Sequence, residues 1–319
     1  MPVERRARLG LAILGLLCLI SIATFMTLGA KGSWEFVLSF RGRKLAGLIL
    51  IAHAIAVSTV LFQTVTANRI LTPSIMGFDA LFVLASTLLV AFIGTHGVTE
   101  IDPRALFAGK VVLMVGASLA LYRWLFLGGE RSLHRLLLIG VVFGIFLRTL
   151  SQFLQRLLDP NEFMVLSDML FASFNAIDPV LMTFGWALVA LATLWLCFNV
   201  NRLDVIGLGR PIAINLGISW RREILTVLSI VSVLVAVSTA LVGPVTFFGL
   251  LAASLAHVIV GTSRHRYLLP AASMTGIVLL VGGQTILERL FAFNTALSVV
   301  VEFVGGLVFI ILLLRKPAR

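Results

Sequence analysis

The sequence predicts an all-α polytopic membrane protein, a single transmembrane domain over residues 1–319 with about ten spanning helices. Three observations carry that expectation. Hydrophobic residues make up 60% of the 319 positions and charged residues only 12%, with a mean hydropathy of +1.09. A soluble domain needs polar groups over its surface and usually carries about 25% charged residues. The apolar residues also fall into runs near the length that crosses a bilayer, roughly 20 residues at about 1.5 Å each for about 30 Å of hydrocarbon. Finally, most of the 25 Lys and Arg residues sit in the gaps between runs, where they report topology and not a nucleic-acid surface.

The runs lie at about 9–30, 45–66, 76–95, 105–127, 133–155, 177–199, 222–242, 246–262, 267–287 and 295–314. The first follows Glu4-Arg5-Arg6-Ala7-Arg8 and is about 20 residues long. A cleaved signal peptide has an apolar region of only about 7–15 residues, so this segment is expected to be retained. Between the fifth and sixth runs, Asp159-Pro160-Asn161-Glu162 reads as a turn and helix start. Met164 to Phe174 then forms a short apolar helix at the outer rim. The connection over 200–221 is too polar to span and too apolar for a loose linker. Pro211 suits a first helical turn, and Ile212, Ile214, Leu216 and Ile218 supply apolar contacts. A short helix at the cytoplasmic surface is expected there.

Both termini are placed inside by the distribution of bases. That side collects Arg5, Arg6 and Arg8; Arg69; Arg123, Arg131 and Arg135; Arg202, Arg210, Arg221 and Arg222; Arg264 and Arg266; and Arg315, Lys316 and Arg319. These are 16 of the 25 bases, against four acids. The outer loop with Lys31, Arg41, Arg43 and Lys44 departs from the pattern. It reads either as snorkelling side chains or as a contact patch for an acidic partner.

Enzyme and metal chemistry find no support. His53, His96, His134, His257 and His265 are scattered, and Cys18 and Cys197 sit in apolar runs like small hydrophobes. No nucleophile elbow, zincin motif or phosphate-binding loop occurs. No catalytic or metal-binding residue is therefore assigned. His53 is expected to be a satisfied polar residue between packed helices. Asp79, Arg148 and Glu302 are the clearest ionisable groups inside apolar runs, a weak signal for a proton- or sodium-coupled carrier.

Several segments resemble the iron-chelate and cobalamin permease family of ABC importers, the FecCD family. Arg41, Lys44 and Gln63 lead into Asn68, Leu71, Pro73 and Gly77, a stretch similar to the siderophore-iron branch. Gly209, Ala213, Leu216 and Gly217 have the spacing of that family's coupling helix. Gly243-Pro244-Val245-Thr246-Phe247-Phe248-Gly249-Leu250, the Asp159-Pro160 turn with its outer helix, and the last run with Gly305-Gly306 also match. Ala252-Ala253-Ser254 and His257 depart from the pattern.

The resemblance implies a permease in the bacterial inner membrane that moves a ferric chelate from a periplasmic substrate-binding protein to the cytoplasm. Cytosolic ABC ATPase subunits would dock on 203–218, with Gly209, Pro211, Ala213, Leu216 and Gly217 as coupling residues. Arg41, Lys44 and Arg289 would meet the binding protein. Gln63, Asn68, Pro73, Gly243, Pro244 and Phe247 are pathway or gate candidates. A second copy or a related permease would complete the pathway. The chain would bind no cofactor, since ATP and Mg belong to the partner, and no nucleic acid. A secondary active transporter, a permease for cobalamin or haem, and an intramembrane enzyme remain as alternatives.

Overall fold

In a computed structural model, the structure describes residues 3–29, 33–127, 133–174, 177–290 and 297–314. The helices in order are α1 (Val3–Thr27), α2 (Trp34–Thr66), α3 (Phe78–Glu100), α4 (Pro103–Leu127), α5 (Leu133–Gln155) and α6 (Pro160–Leu170). They continue with α7 (Pro179–Ile206), α8 (Arg210–Asn215), α9 (Trp220–Val242), α10 (Phe248–Val260), α11 (His265–Leu290) and α12 (Leu297–Leu314). No strand occurs among the described residues.

Eight helices are long and apolar enough to cross a membrane: α1 to α5, α7, α9 and α11. Two more of the predicted runs form shorter apolar helices, Phe248–Val260 and Leu297–Val308. A 13-residue helix such as α10 reaches only about 20 Å at about 1.5 Å per residue, short of a bilayer's roughly 30 Å. Just before it, residues 243–247 remain non-helical although Val245 is buried at 4% exposure. The run predicted from 246 therefore begins as helix only at Phe248, and the chain enters the bundle before it as a non-helical segment.

Burial orders the helices from centre to rim. In α2, 72% of the most apolar window is buried, and in α9 61%, against 17% in α1 and 22% in α5 and α7. A helix buried all round needs apolar residues on every face, and α2 supplies them from Leu48 to Val65. The rim helices present Leu9, Ile13, Leu16 and Leu19 of α1, and Leu191, Leu194 and Phe198 of α7, as exposed side chains. In water such a surface would aggregate; in lipid it is the expected exterior. The first helix packs against α11, with Gly10 set close against Ile259 of α10.

Between α2 and α3 the chain turns back into the bundle. Asn68 Oδ1 accepts from the Ile70 N–H at 3.0 Å, and Gln63 Nε2 donates to the Arg69 carbonyl at 2.7 Å. Buried Pro73 opens a 3-10 turn, Pro73–Met76, that ends at Gly77 with φ +95°. A Cβ on Gly77 would lie 2.8 Å from Gly144 Cα in α5. The turn can therefore rest against α5 only because both positions lack a side chain. This insertion places the start of α3 beside Arg148, one turn beyond Gly144.

Several boundaries differ from expectation, among them the start of α1 at Val3 and the end of α7 at Ile206, seven residues past 199. α2 starts at Trp34, eleven residues before the run predicted at 45. α3 runs past 95 to Glu100, with a break at Gly94 (φ 73°, ψ 166°). α6 ends at Leu170 and not at Phe174. Its start is as predicted, with Asp159 capping the Asn161 N–H and Pro160 in the first turn. Beyond Leu170 the Ser173 N–H donates to the Val242 carbonyl at the end of α9, 2.8 Å away. That tertiary bond captures a donor the helix would otherwise use. His53 is satisfied as expected, with Nδ1 2.9 Å from Ser273 Oγ and Nε2 2.8 Å from Thr193 Oγ1.

Candidate functional site

The connection between α7 and α9 contains a helix, α8, of six residues. Pro211 sits in its first turn, where its missing N–H removes no helical bond. Gly209 precedes it with φ 91° and ψ 163°, a region open essentially to glycine alone, and Gly217 follows with φ +85°. Neither glycine would meet another group if a Cβ were added. Their requirement is thus one of backbone conformation and not of packing. Ala213 is fully buried against the bundle, while Ile212 (48%), Ile214 (47%) and Leu216 (60%) are exposed. The short helix is thus held by one small buried residue and shows large apolar side chains outward.

The ends of this connection are fastened to the helix bundle. Arg202 of α7 pairs with Glu223 of α9 at 2.7 Å. Asp204 Oδ1 accepts from the His265 backbone N–H at 2.7 Å and lies 2.6 Å from the ring Nδ1. The other ring nitrogen, Nε2, lies 2.7 Å from Thr64 Oγ1 in α2. The chain on either side of α8 is thus linked to α9, α11 and the central α2 through short polar contacts.

At the opposite end, the three candidate docking bases act first within the chain. Arg41 donates to the carbonyls of Phe25 (2.8 Å), Leu28 (2.9 Å) and Gly29 (3.2 Å), and Arg289 also donates to Leu28. Both cap the C-terminal end of α1, whose last carbonyls lack helical partners and carry partial negative charge. Lys44 is paired with Glu288 at 2.6 Å, with the two side chains 13% and 12% exposed, and Gln284 donates to the same carboxylate at 2.9 Å. Carbonyls leave a guanidinium charged, but a carboxylate neutralises an ammonium. Arg41 and Arg289 keep a positive field, and Lys44 is occupied by Glu288. Arg43 is exposed, and Lys31 lies outside the described residues.

The gate candidates divide into two groups. Gln63, Asn68 and Pro73 shape the turn between α2 and α3. Gly243, Pro244 and Phe247 belong to the segment between α9 and α10, where Gly243 packs against the Ala172 backbone. Between the latter lies Thr246, which the sequence did not single out. Its Oγ1 donates to Asp79 Oδ2 at 3.3 Å, and its N–H donates to Glu302 Oε1 at 3.4 Å. The segment is thereby tied to α3 and α12. No group of three potential metal ligands occurs among the described residues.

Comparison with known proteins agrees with this layout. The family model described as the FecCD transport family matches residues 11–315. The petrobactin import system permease protein YclO of Bacillus subtilis is 41% identical over 98% of this chain and 98% of its own length. The petrobactin import system permease protein FatC of Bacillus anthracis is 33% identical over 86% of this chain and 77% of its own. A solved structure titled as a metal-chelate type ABC transporter in an inward-facing conformation superposes with a TM-score of 0.83. It is 22% identical and covers 97% of this chain and 100% of that one, so it supports the fold alone. With a family match over nearly its whole length and a relative at 41% identity, this multi-pass membrane chain belongs to the FecCD transport family.

Proposed function

We propose that the chain is the membrane-spanning permease subunit of an ABC importer that carries a ferric chelate of the siderophore type. The cargo arrives from a periplasmic binding protein and is released to the cytoplasm. ATP is hydrolysed with Mg in a separate cytosolic subunit, and this chain supplies no catalytic group. The observation that carries the reading is α8, a six-residue helix set between two glycine-dependent turns, with exposed Ile212, Ile214 and Leu216. An ATPase gripping that surface moves α8, and the Arg202–Glu223 and Asp204–His265 contacts pass the movement to α9, α11 and α2. The tied segment at Thr246 is the element that opens and closes, an alternating-access cycle powered from outside the chain. A second copy or a related permease completes the pathway.

On the outer face, Arg41, Arg289 and Arg43 provide the positive field that guides an acidic binding protein. Exposed pairs of this kind contribute about 0.2–1 kcal/mol each and chiefly raise the on-rate, which suits a delivery protein that docks and leaves. The reading is tested by purifying the chain from native membranes and reconstituting it in vesicles. A phosphate-loop ATPase is expected to copurify, and labelled ferric chelate is expected to enter only when ATP is supplied to that subunit. Uptake driven by a proton or sodium gradient without ATP would contradict it.

A further inference from the structure

The three clearest ionisable groups inside apolar runs meet in one place. Asp79 of α3, Arg148 of α5 and Glu302 of α12 line a single cavity of about 430 Å³, together with Gln152, Thr246 and Ser298. Their positions in the chain are far apart, and the inserted turn before α3 is what brings Asp79 to the level of Arg148. Charged side chains at membrane depth are retained where they face a water-filled cavity or a pathway.

Part of this cluster is structural. Thr246 occupies Asp79 Oδ2 and Glu302 Oε1, which ties the segment between α9 and α10 to α3 and α12 in this conformation. The remaining polar capacity has no such use. Asp79 is 4% exposed; Ser74 as well as Thr246 lies against its carboxyl group, yet no donor meets Oδ1 in hydrogen-bond geometry, and Ser298, 5% exposed, leaves its Oγ unpartnered. None of the ion pairs among the described residues contains Asp79, Arg148 or Glu302. A buried acceptor without a donor is costly, so these atoms point to something that enters and supplies one.

The lining holds two carboxyl groups to one guanidinium. Such a site accepts N–H hydrogens on two sides and offers donors on the third, and it disfavours a ligand whose whole rim is anionic oxygen. We propose that this cavity is a recognition station on the transport path for a ferric chelate bearing an ammonium arm. The free oxygen of Asp79 and the Glu302 carboxylate receive the ammonium hydrogens, and Arg148 donates to a chelate oxygen. This rests on the import reading above and names the cargo chemistry that the reading leaves open.

The test uses the whole importer, this chain with its ATPase and binding protein, in proteoliposomes. Two synthetic ferric chelates are supplied that differ only in a free primary amine or its N-acetyl form. The readout is the ratio of their ATP-dependent uptake rates. The binding protein's own preference is common to wild type and variant, so it cancels when their ratios are compared. D79N and E302Q each retain an oxygen for Thr246 and lose the charge. Each is expected to lower the amine-to-acetyl ratio about tenfold, the discrimination of a charge-assisted hydrogen bond. A variant that slows both chelates equally, or that leaves the ratio unchanged, overturns the station. Wild-type vesicles that take up neither chelate with ATP present would overturn the import reading and this site with it.

Discussion

Gly209→Val is expected to cut ATP-dependent chelate uptake about 30-fold while the protein still inserts and folds. Gly209 holds φ 91° and ψ 163°, where a side-chain-bearing residue is strained by about 1–3 kcal/mol. At about 1.4 kcal/mol per tenfold, a strain near 2 kcal/mol shifts the docked form of α8 by about 30-fold. Nothing lies within reach of an added Cβ, so the strain falls on the turn and not on the bundle. The thermal midpoint of the purified chain should stay near that of the wild type, and copurification of the ATPase should fall with uptake. Unchanged uptake would remove α8 from the coupling route.

Lys44→Ala is expected to destabilise the fold by about 3 kcal/mol, the lower end of what is seen when a buried pair loses one partner. The Lys44–Glu288 pair is buried on both sides at 2.6 Å, so the substitution leaves a carboxylate with little access to water. Gln284 still donates to it, which is why the lower end applies. At about 2 °C per kcal/mol for a large chain, the thermal midpoint in detergent should drop by roughly 6 °C. Adding Glu288→Gln should recover most of the loss by removing the stranded charge. A single variant as stable as the wild type would show that the pair contributes nothing to the fold.

The spanning helices were legible because lipid sets one rule, length and apolarity, and the rule acts locally. The α8 segment was legible for a similar reason: a glycine, a proline and a second glycine at fixed spacing describe a turn, a short helix and a turn. What escaped was set by contacts distant in sequence. Lys44 pairs with Glu288, and the two residues are 244 positions apart. The end of α6 is fixed by a bond from Ser173 to Val242, which no local pattern announces. Asp79, Arg148 and Glu302 stood out singly as charges in apolar runs, yet two of them fell near run ends. Their meeting depends on the backbone returning into the bundle at Pro73–Gly77, which the contact of Gly77 with Gly144 permits. The bond from Thr246 to both carboxylates had no sequence signal beyond its place in the Gly243–Leu250 motif.

The surface of α8 must face the cytosol if a separate ATPase drives this chain, and its accessibility can be read directly. With Cys18 and Cys197 replaced by alanine, a single Ile212→Cys provides an exposed thiol on α8. A membrane-impermeant maleimide should leave it unmodified in intact cells and label it in inverted vesicles, and bound ATPase should protect it there. Labelling from outside in intact cells would put α8 on the wrong side of the membrane for an ATP-driven partner.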